Sequence, residues 1–136
     1  MKIVVAGGGK VGSDLTRQLQ REGHDVVVID EDPAVLQGRL EQYDVMTVQG
    51  NAAGMGTLRL AKTDQADLLI AVTGADEINI LCCLTARRLN RKIHTIARVR
   101  NPEYAEQLYE MREMLGLSLS VNPELSAARE ISHLLQ

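Results

Sequence analysis

Tryptophan and phenylalanine are absent from this 136-residue chain, and its aromatic side chains are three tyrosines, Tyr43, Tyr104 and Tyr109. Proteins that bind single-stranded nucleic acid stack bases on such rings, and nucleic-acid binders in general carry a basic face. Here 15 Lys and Arg stand against 18 Asp and Glu, a net charge of -3, so no nucleic-acid partner is expected. The two cysteines, Cys82 and Cys83, are adjacent. They form neither a disulfide framework nor a C-x-x-C metal knuckle, and read as small apolar residues on a helix. His24, His94 and His133 lack metal-ligand spacing and read as incidental surface or strand-edge residues. No apolar stretch approaches the roughly 18 residues of a membrane span, and Met1-Lys2 leads straight into a strand rather than a signal segment. A soluble, cytoplasmic chain with no direct membrane insertion is therefore expected. Linkers and low-complexity segments are also missing.

What is present is an alternation of short apolar runs with helical patterns, the signature of strand-helix units and a parallel sheet. The strands are expected near Lys2–Ala6, Asp25–Ile29, Asp44–Gln49, Leu68–Val72, Thr95–Val99 and Leu119–Val121. Their Val and Ile content fits burial on both faces. This predicts an α/β fold of one domain, a doubly wound parallel six-stranded sheet with helices on both faces. Val11, Leu15 and Leu19 give the first helix an apolar stripe toward the sheet, and Ile78, Leu81, Cys82, Thr85 and Leu89 do the same after the fourth strand. Asp32-Pro33, Asn101-Pro102 and Asn122-Pro123 each pair an N-cap with proline at a first helical position. Arg87, Arg88, Arg91 and Lys92 crowd the end of the fourth helix, where cations complement the macrodipole on a solvated surface. In the last helix Leu125, Ala128, Ile131, Leu134 and Leu135 keep an apolar stripe to the final residues. Such a stripe seeks a second subunit, so a symmetric homodimer through this helix is expected.

The chemistry sits early in the chain. Gly7-Gly8-Gly9-Lys10-Val11-Gly12 follows directly on Ile3-Val4-Val5-Ala6, and Asp30 closes the next apolar run. In a G-x-G-x-x-G turn between strand and helix, Gly7 permits the tight turn, Gly9 lets backbone approach a pyrophosphate, and Gly12 lets the helix lie close on the sheet. The N-H groups at the start of that helix, with the positive end of its dipole, hold phosphate oxygens. Lys10 adds charge at the rim. Asp30 stands near the spacing of about 20 residues expected for the acid that accepts from the adenosine ribose, and it repels a 2′-phosphate. Asp32 with Pro33 caps the second helix, which leaves Asp30 free of that duty. The reading is a Rossmann site for NAD(H) rather than NADP(H), on strands in the order 3-2-1-4-5-6.

Further along stand Gly50-Asn51-Ala52, Ala71-Val72-Thr73-Gly74-Ala75-Asp76-Glu77 with Asn79, and Ala97-Arg98-Val99 with Asn101-Pro102. With the glycine loop and Asp30, this ordered series resembles the RCK (or KTN) nucleotide-binding domain of potassium-transport regulators. The resemblance covers essentially the whole chain as a single N-terminal lobe over residues 1–136, without the family's C-terminal lobe. It implies that Gly7 through Gly12 hold the pyrophosphate, Asp30 the adenosine ribose, and Asn51 and Ala52 the adenine. It further implies that Thr73 and Gly74 approach the second half of the ligand, and that Arg98 reaches phosphate or the second ribose. Many members carry Asp where this chain has Asn51. Asn51 and Asp76 also suit helix N-caps, and Arg98 suits pairing with a surface carboxylate.

The function so implied is a sensor without catalysis. NAD(H), with ATP or ADP competing for the same site, biases a dimer or higher RCK assembly that gates a membrane-embedded potassium transporter or channel. The protein is then cytoplasmic, peripheral to the inner membrane through that partner. An NAD-dependent oxidoreductase is the alternative. Its difficulty is missing chemistry: the tyrosines are followed four places on by Thr47, Leu108 and Glu113, so no Tyr-x-x-x-Lys pair exists. A methyltransferase is third, with Val5 and Ala6 where an acid is commonly found.

Overall fold

The computed structural model describes residues 1–40 and 44–115. Five strands, β1 (Lys2–Ala6), β2 (Asp25–Asp30), β3 (Met46–Gln49), β4 (Leu68–Ala71) and β5 (His94–Ala97), form one parallel sheet in the order β3-β2-β1-β4-β5. This is the expected order for the first five strands. The sixth, Leu119–Val121, and the helix after Asn122 lie outside the described residues. Between and after the strands run α1 (Lys10–Arg21), α2 (Pro33–Leu40), α3 (Met55–Leu60), α4 (Asp76–Leu89), α5 (Pro102–Glu110) and α6 (Arg112–Leu115).

Alternation along each strand sends side chains to two separate cores. Ile3, Val5, Val26, Val28, Leu68 and Ile70 pack with Leu15 and Leu19 of α1 and Leu36 of α2. Val4, Val27, Ile29 and Leu69 face the other way, onto Leu58 of α3 and Cys82, Cys83 and Ala86 of α4. Each large aliphatic side chain removed from water contributes about 1.5–3 kcal/mol, which is why near-continuous Val, Ile and Leu runs become central strands here. Strand β3 is the exception. It starts at Met46 rather than Asp44, lies at a sheet edge, and leaves Met46 half exposed.

Two expected stripes are corrected. Leu15 and Leu19 are buried, but Val11 is 40% exposed, because it lines the open cleft beside the loop after β1 rather than the sheet. On α4 the buried face is Asn79, Cys82, Cys83 and Ala86, at i, i+3, i+4 and i+7, and Leu81 is 50% exposed on another side. Small residues on that face let α4 approach the sheet closely. Asp32 and Asn101 cap as expected, accepting from Ala34 N-H and Glu103 N-H, both at 2.9 Å.

His24 is also corrected: it is buried in the turn between α1 and β2, with Nε2 4.0 Å from Glu22. His94 is exposed, as expected of a strand edge, and His133 lies outside the described residues. Arg87 donates to the Ile93 carbonyl at 2.9 Å, while Arg88, Arg91 and Lys92 are exposed. Burial pushes the Cys82 thiol up to about 12 and the Cys83 thiol well above its ordinary value. Because the thiolate is the reactive form, neither cysteine should react with a thiol reagent at pH 8 until the protein unfolds. Fast stoichiometric labelling of the native chain would contradict this packing. Among the described residues, no helix is long and apolar enough to cross a membrane, and no group of His, Cys, Asp and Glu has metal-binding geometry.

Candidate functional site

The chain leaves β1 toward β2 on one side and crosses back to β4 on the other, so the loops after β1 and β4 diverge. Open parallel sheets bind ligands in the crevice this divergence creates. A cleft of about 640 Å³ occupies that place, a volume within the range of small-molecule and cofactor sites. Every residue assigned to the site from sequence lines it, except Gly8 and Gly12.

Those two glycines stand behind the surface they shape. Gly7 turns the chain with φ +114°, and its N-H donates to Ile29 at 2.8 Å. A Cβ on Gly12 would overlap the Gly7 carbonyl oxygen, so this is where α1 meets the loop most closely. A Cβ on Gly9 meets no atom within 4 Å. Its Cα faces the open cleft. Helix α1 has no side-chain N-cap, and its first turn is fastened from below, by Ser13 N-H on the Gly9 carbonyl and Ser13 Oγ on the Gly8 carbonyl, both at 2.8 Å. Among the described residues, nothing accepts from the N-H groups of Lys10, Val11 and Gly12. That is a ready anion site.

Asp30 ends β2 beside the loop. It does not cap α2, as expected, but it does fasten the loops around it: Oδ2 accepts from Gly8 N-H at 2.8 Å and Oδ1 from Asp32 N-H at 2.9 Å. A carboxylate offers about four lone pairs, so each oxygen keeps one that is not used by these bonds. Glu31, next to it on the cleft, adds a second negative charge. Asn51 does not cap α3, whose N-cap is Gly54. Its Oδ1 accepts from Ala53 N-H at 3.0 Å, an Asx turn that presents Ala52 as cleft floor.

The opposite wall is built by two loops tied together. Among the described residues, no carboxylate forms an ion pair with Arg98. Its Nη2 donates to the Thr73 carbonyl at 2.6 Å, and burial pushes its guanidinium below the ordinary value, helped by Arg100 and opposed by Asp76. Arg100 donates to the Gly74 carbonyl at 2.8 Å. Asp76 is not a cap either: α4 has Ala75 as its N-cap, and the Asp76 carboxylate reaches across to accept from Arg100 N-H at 3.0 Å and Asn101 N-H at 2.9 Å.

The Arg100 amide above all holds the Asp76 carboxyl below the usual carboxylate range, with burial opposing it and the Asn101 amide and the arginine charges adding to it. A group with a depressed folded value stabilises the fold above its unfolded value and loses that contribution as pH falls through the folded one. Asp76→Asn should therefore cost stability at pH 6–7 and progressively less below about pH 4, the ordinary Asp range. Melting temperatures of both proteins across pH 3–7 check this, and a difference that stays constant would contradict it.

Sequence reasoning did not assign Ile29, Glu31, Gly50, Val72, Ala75 and Ile78 to the cleft they line. Glu31 was legible as the neighbour of Asp30, whereas Ile78 was assigned to the sheet-facing stripe and instead sits at the cleft mouth. The site thus has hydroxyl acceptors at one end, bare N-H donors in the middle and a cation at the other end. Its titratable side chains are Lys10, Asp30, Glu31 and Arg98. This suits holding a phosphorylated ligand.

The TrkA-N domain model matches residues 3–123. The chain belongs to the TrkA-N family. Over 135 residues it is 40% identical to a Trk system potassium uptake protein TrkA homolog of Archaeoglobus fulgidus, covering 99% of this chain and 30% of the relative. This TrkA-N chain therefore spans about a third of the length of that curated relative. Among solved structures, the TrkA-N domain of the inner membrane protein ybaL from Escherichia coli is 27% identical with TM-score 0.78, covering 99% of this chain and 96% of that one. The GsuK channel bound to NAD is 28% identical with TM-score 0.71, covering 98% of this TrkA-N chain and 23% of that one. GsuK has also been solved bound to ADP.

Proposed function

We propose that this TrkA-N domain binds NAD(H), with ADP or ATP competing, and regulates a membrane-embedded potassium transporter or channel without catalysing a reaction on the nucleotide. The observation that carries the reading is the pairing of Asp30 with the glycine loop: one carboxylate fixes the loop by Gly8 N-H and keeps lone pairs toward the cleft, beside the N-H groups that open α1. Gly7, Gly9, Lys10 and Val11 would hold the pyrophosphate, with Gly8 and Gly12 shaping the loop. Asp30 would take the adenosine ribose, Asn51 and Ala52 the adenine, Thr73 and Gly74 the second half, and Arg98 its phosphate or ribose. NAD and ADP in the GsuK structures support this choice of ligands.

Regulation requires unequal affinity for two states of the assembly, so NAD and NADH, or ADP and ATP, would favour different ones. The chain would act as a cytoplasmic N-terminal lobe, peripheral to the membrane through its transporter partner. Pairing of two copies through the helix after Asn122 would bring two clefts into one body. Light scattering checks that pairing: a dimer is expected, Ile131→Asp should dissociate it, and a monomer at tens of micromolar would contradict it. For the function itself, potassium flux through the reconstituted transport system should change with the NADH to NAD ratio. The same system carrying Asp30→Ala should lose that dependence. Flux indifferent to every nucleotide would overturn the proposal.

A further inference from the structure

Asn79 is fully buried in the second turn of α4, beneath the loop that forms one wall of the cleft. A side-chain amide has two N-H donors and an oxygen with two lone pairs. All four are used. Oδ1 accepts from Thr73 N-H at 2.8 Å and Thr73 Oγ at 2.6 Å, while Nδ2 donates to the Thr73 carbonyl at 3.2 Å and the Arg98 carbonyl at 2.9 Å. Arg98 then closes the circuit by donating from Nη2 to the same Thr73 carbonyl. Three residues from the loop after β4, from α4 and from the end of β5 thus form one hydrogen-bonded ring. Within it the Arg98 Nε is buried and finds no partner among the described residues, and the residue lines the cleft.

The ring lies wholly on the Thr73 side. Asp30, Gly8 and the first turn of α1 are held by other bonds, in which Asn79 takes no part. We infer that Asn79 is a positioning residue that sets the preference of this cleft for a ligand extending beyond its adenosine monophosphate half. It acts through Thr73 and Arg98, without touching ligand. The chemical class so selected is a dinucleotide, or a nucleotide whose phosphate chain continues past the first phosphate. The inference rests on the reading of the cleft as a nucleotide site.

The physical reason is that Asn79 settles two things at once. It fixes the carbonyl on which the Arg98 guanidinium is aimed, and it fixes the main chain from which that side chain extends. Truncating it takes the buried partner from the Thr73 amide and the Arg98 carbonyl and leaves the Thr73 carbonyl to Arg98 alone, so the loop should shift to resolvate them. Arg98 loses its aim with it. AMP, seated on Asp30 and the α1 terminus, would not register the change.

The test is calorimetric titration of the unmutated chain and Asn79→Ala with NAD and with AMP. In Asn79→Ala, NAD should bind about tenfold or more weakly, equivalent to roughly 1.4 kcal/mol, while AMP changes less than twofold. Equal loss for both ligands, or no loss for either in a folded variant, overturns the inference. Should Asn79→Ala fail to fold, Asn79→Asp keeps the acceptor for Thr73 and removes the donor, and the same selective loss is required of it. In an Arg98→Ala background the Asn79 effect on NAD should shrink severalfold, and an undiminished effect would overturn action through Arg98. An unmutated chain that binds neither NAD nor AMP overturns the nucleotide site itself, and this inference with it. NAD and AMP bound by the parent with no selective loss overturns the inference alone.

Discussion

Gly12→Ala should damage the fold, whereas Gly9→Val should leave the fold intact and sharply weaken binding, although the two glycines belong to one six-residue turn. A methyl on Gly12 would run into the Gly7 carbonyl, part of a backbone already held at φ +114° and tied to Ile29. Neither partner is a flexible side-chain end, so the helix must lift off the loop. We expect a cost near or above the upper end of overpacking, about 3 kcal/mol. For a domain of this size that lowers the melting temperature by on the order of 10 °C. Gly9 has only open cleft around its Cα. A Cβ there meets no protein atom within 4 Å, and valine would fill the path of a phosphate, so thermal stability should stay within a few degrees while NAD affinity falls on the order of a hundredfold, the scale of losing several backbone-phosphate contacts. Thermal denaturation and calorimetry on both variants separate the two effects. Normal NAD binding by folded Gly9→Val would reduce the glycine loop to a turn.

Asp30→Ala should weaken NAD by roughly 1.5–3 kcal/mol, the scale of hydrogen bonds to a charged group. Because Asp30 also holds Gly8 N-H and Asp32 N-H, the same substitution should cost some stability, about 1 kcal/mol for acceptors that water can partly replace. A binding-neutral but destabilised variant would show that the carboxylate serves the loop alone. Discrimination offers an independent reading of the same atom. Asp30 and Glu31 place two negative charges where a 2′-phosphate would lie, so Asp30→Ala should narrow the preference for NAD over NADP even as it weakens both.

Much of this site was legible in the sequence, because its loudest features are local. A glycine turn between a strand and a helix, and an acid at the end of the next strand, are fixed by short spacing, and the structure brings them to one cleft. Asp32 and Asn101 as caps were legible for the same reason. What escaped depends on tertiary geometry. Asp30 leaves the α2 cap to Asp32, as expected, but its bond to the glycine loop has no local signal: a carboxylate 22 positions from Gly8 becomes its acceptor only when β1 and β2 pair. The periodicity of α4 pointed to Leu81 as buried, but small residues at Cys82, Cys83 and Ala86 let the helix rotate its polar Asn79 inward, where a hydrogen-bond circuit makes burial of an amide affordable. Asp76 looked like a cap because it stands at a helix start. Its partners come instead from a loop more than 20 residues away, which no local rule could supply.

On the function proposed above, the cleft between the β1 and β4 loops is an adenine-dinucleotide site read by Asp30. The most direct measurement is calorimetric titration of this chain with NAD and NADP in parallel. We predict one NAD per chain, with NADP weaker by about tenfold or more, as expected when a ribose hydroxyl is replaced by an anion facing a carboxylate. No binding of either dinucleotide, or NADP binding as tightly as NAD, would contradict it.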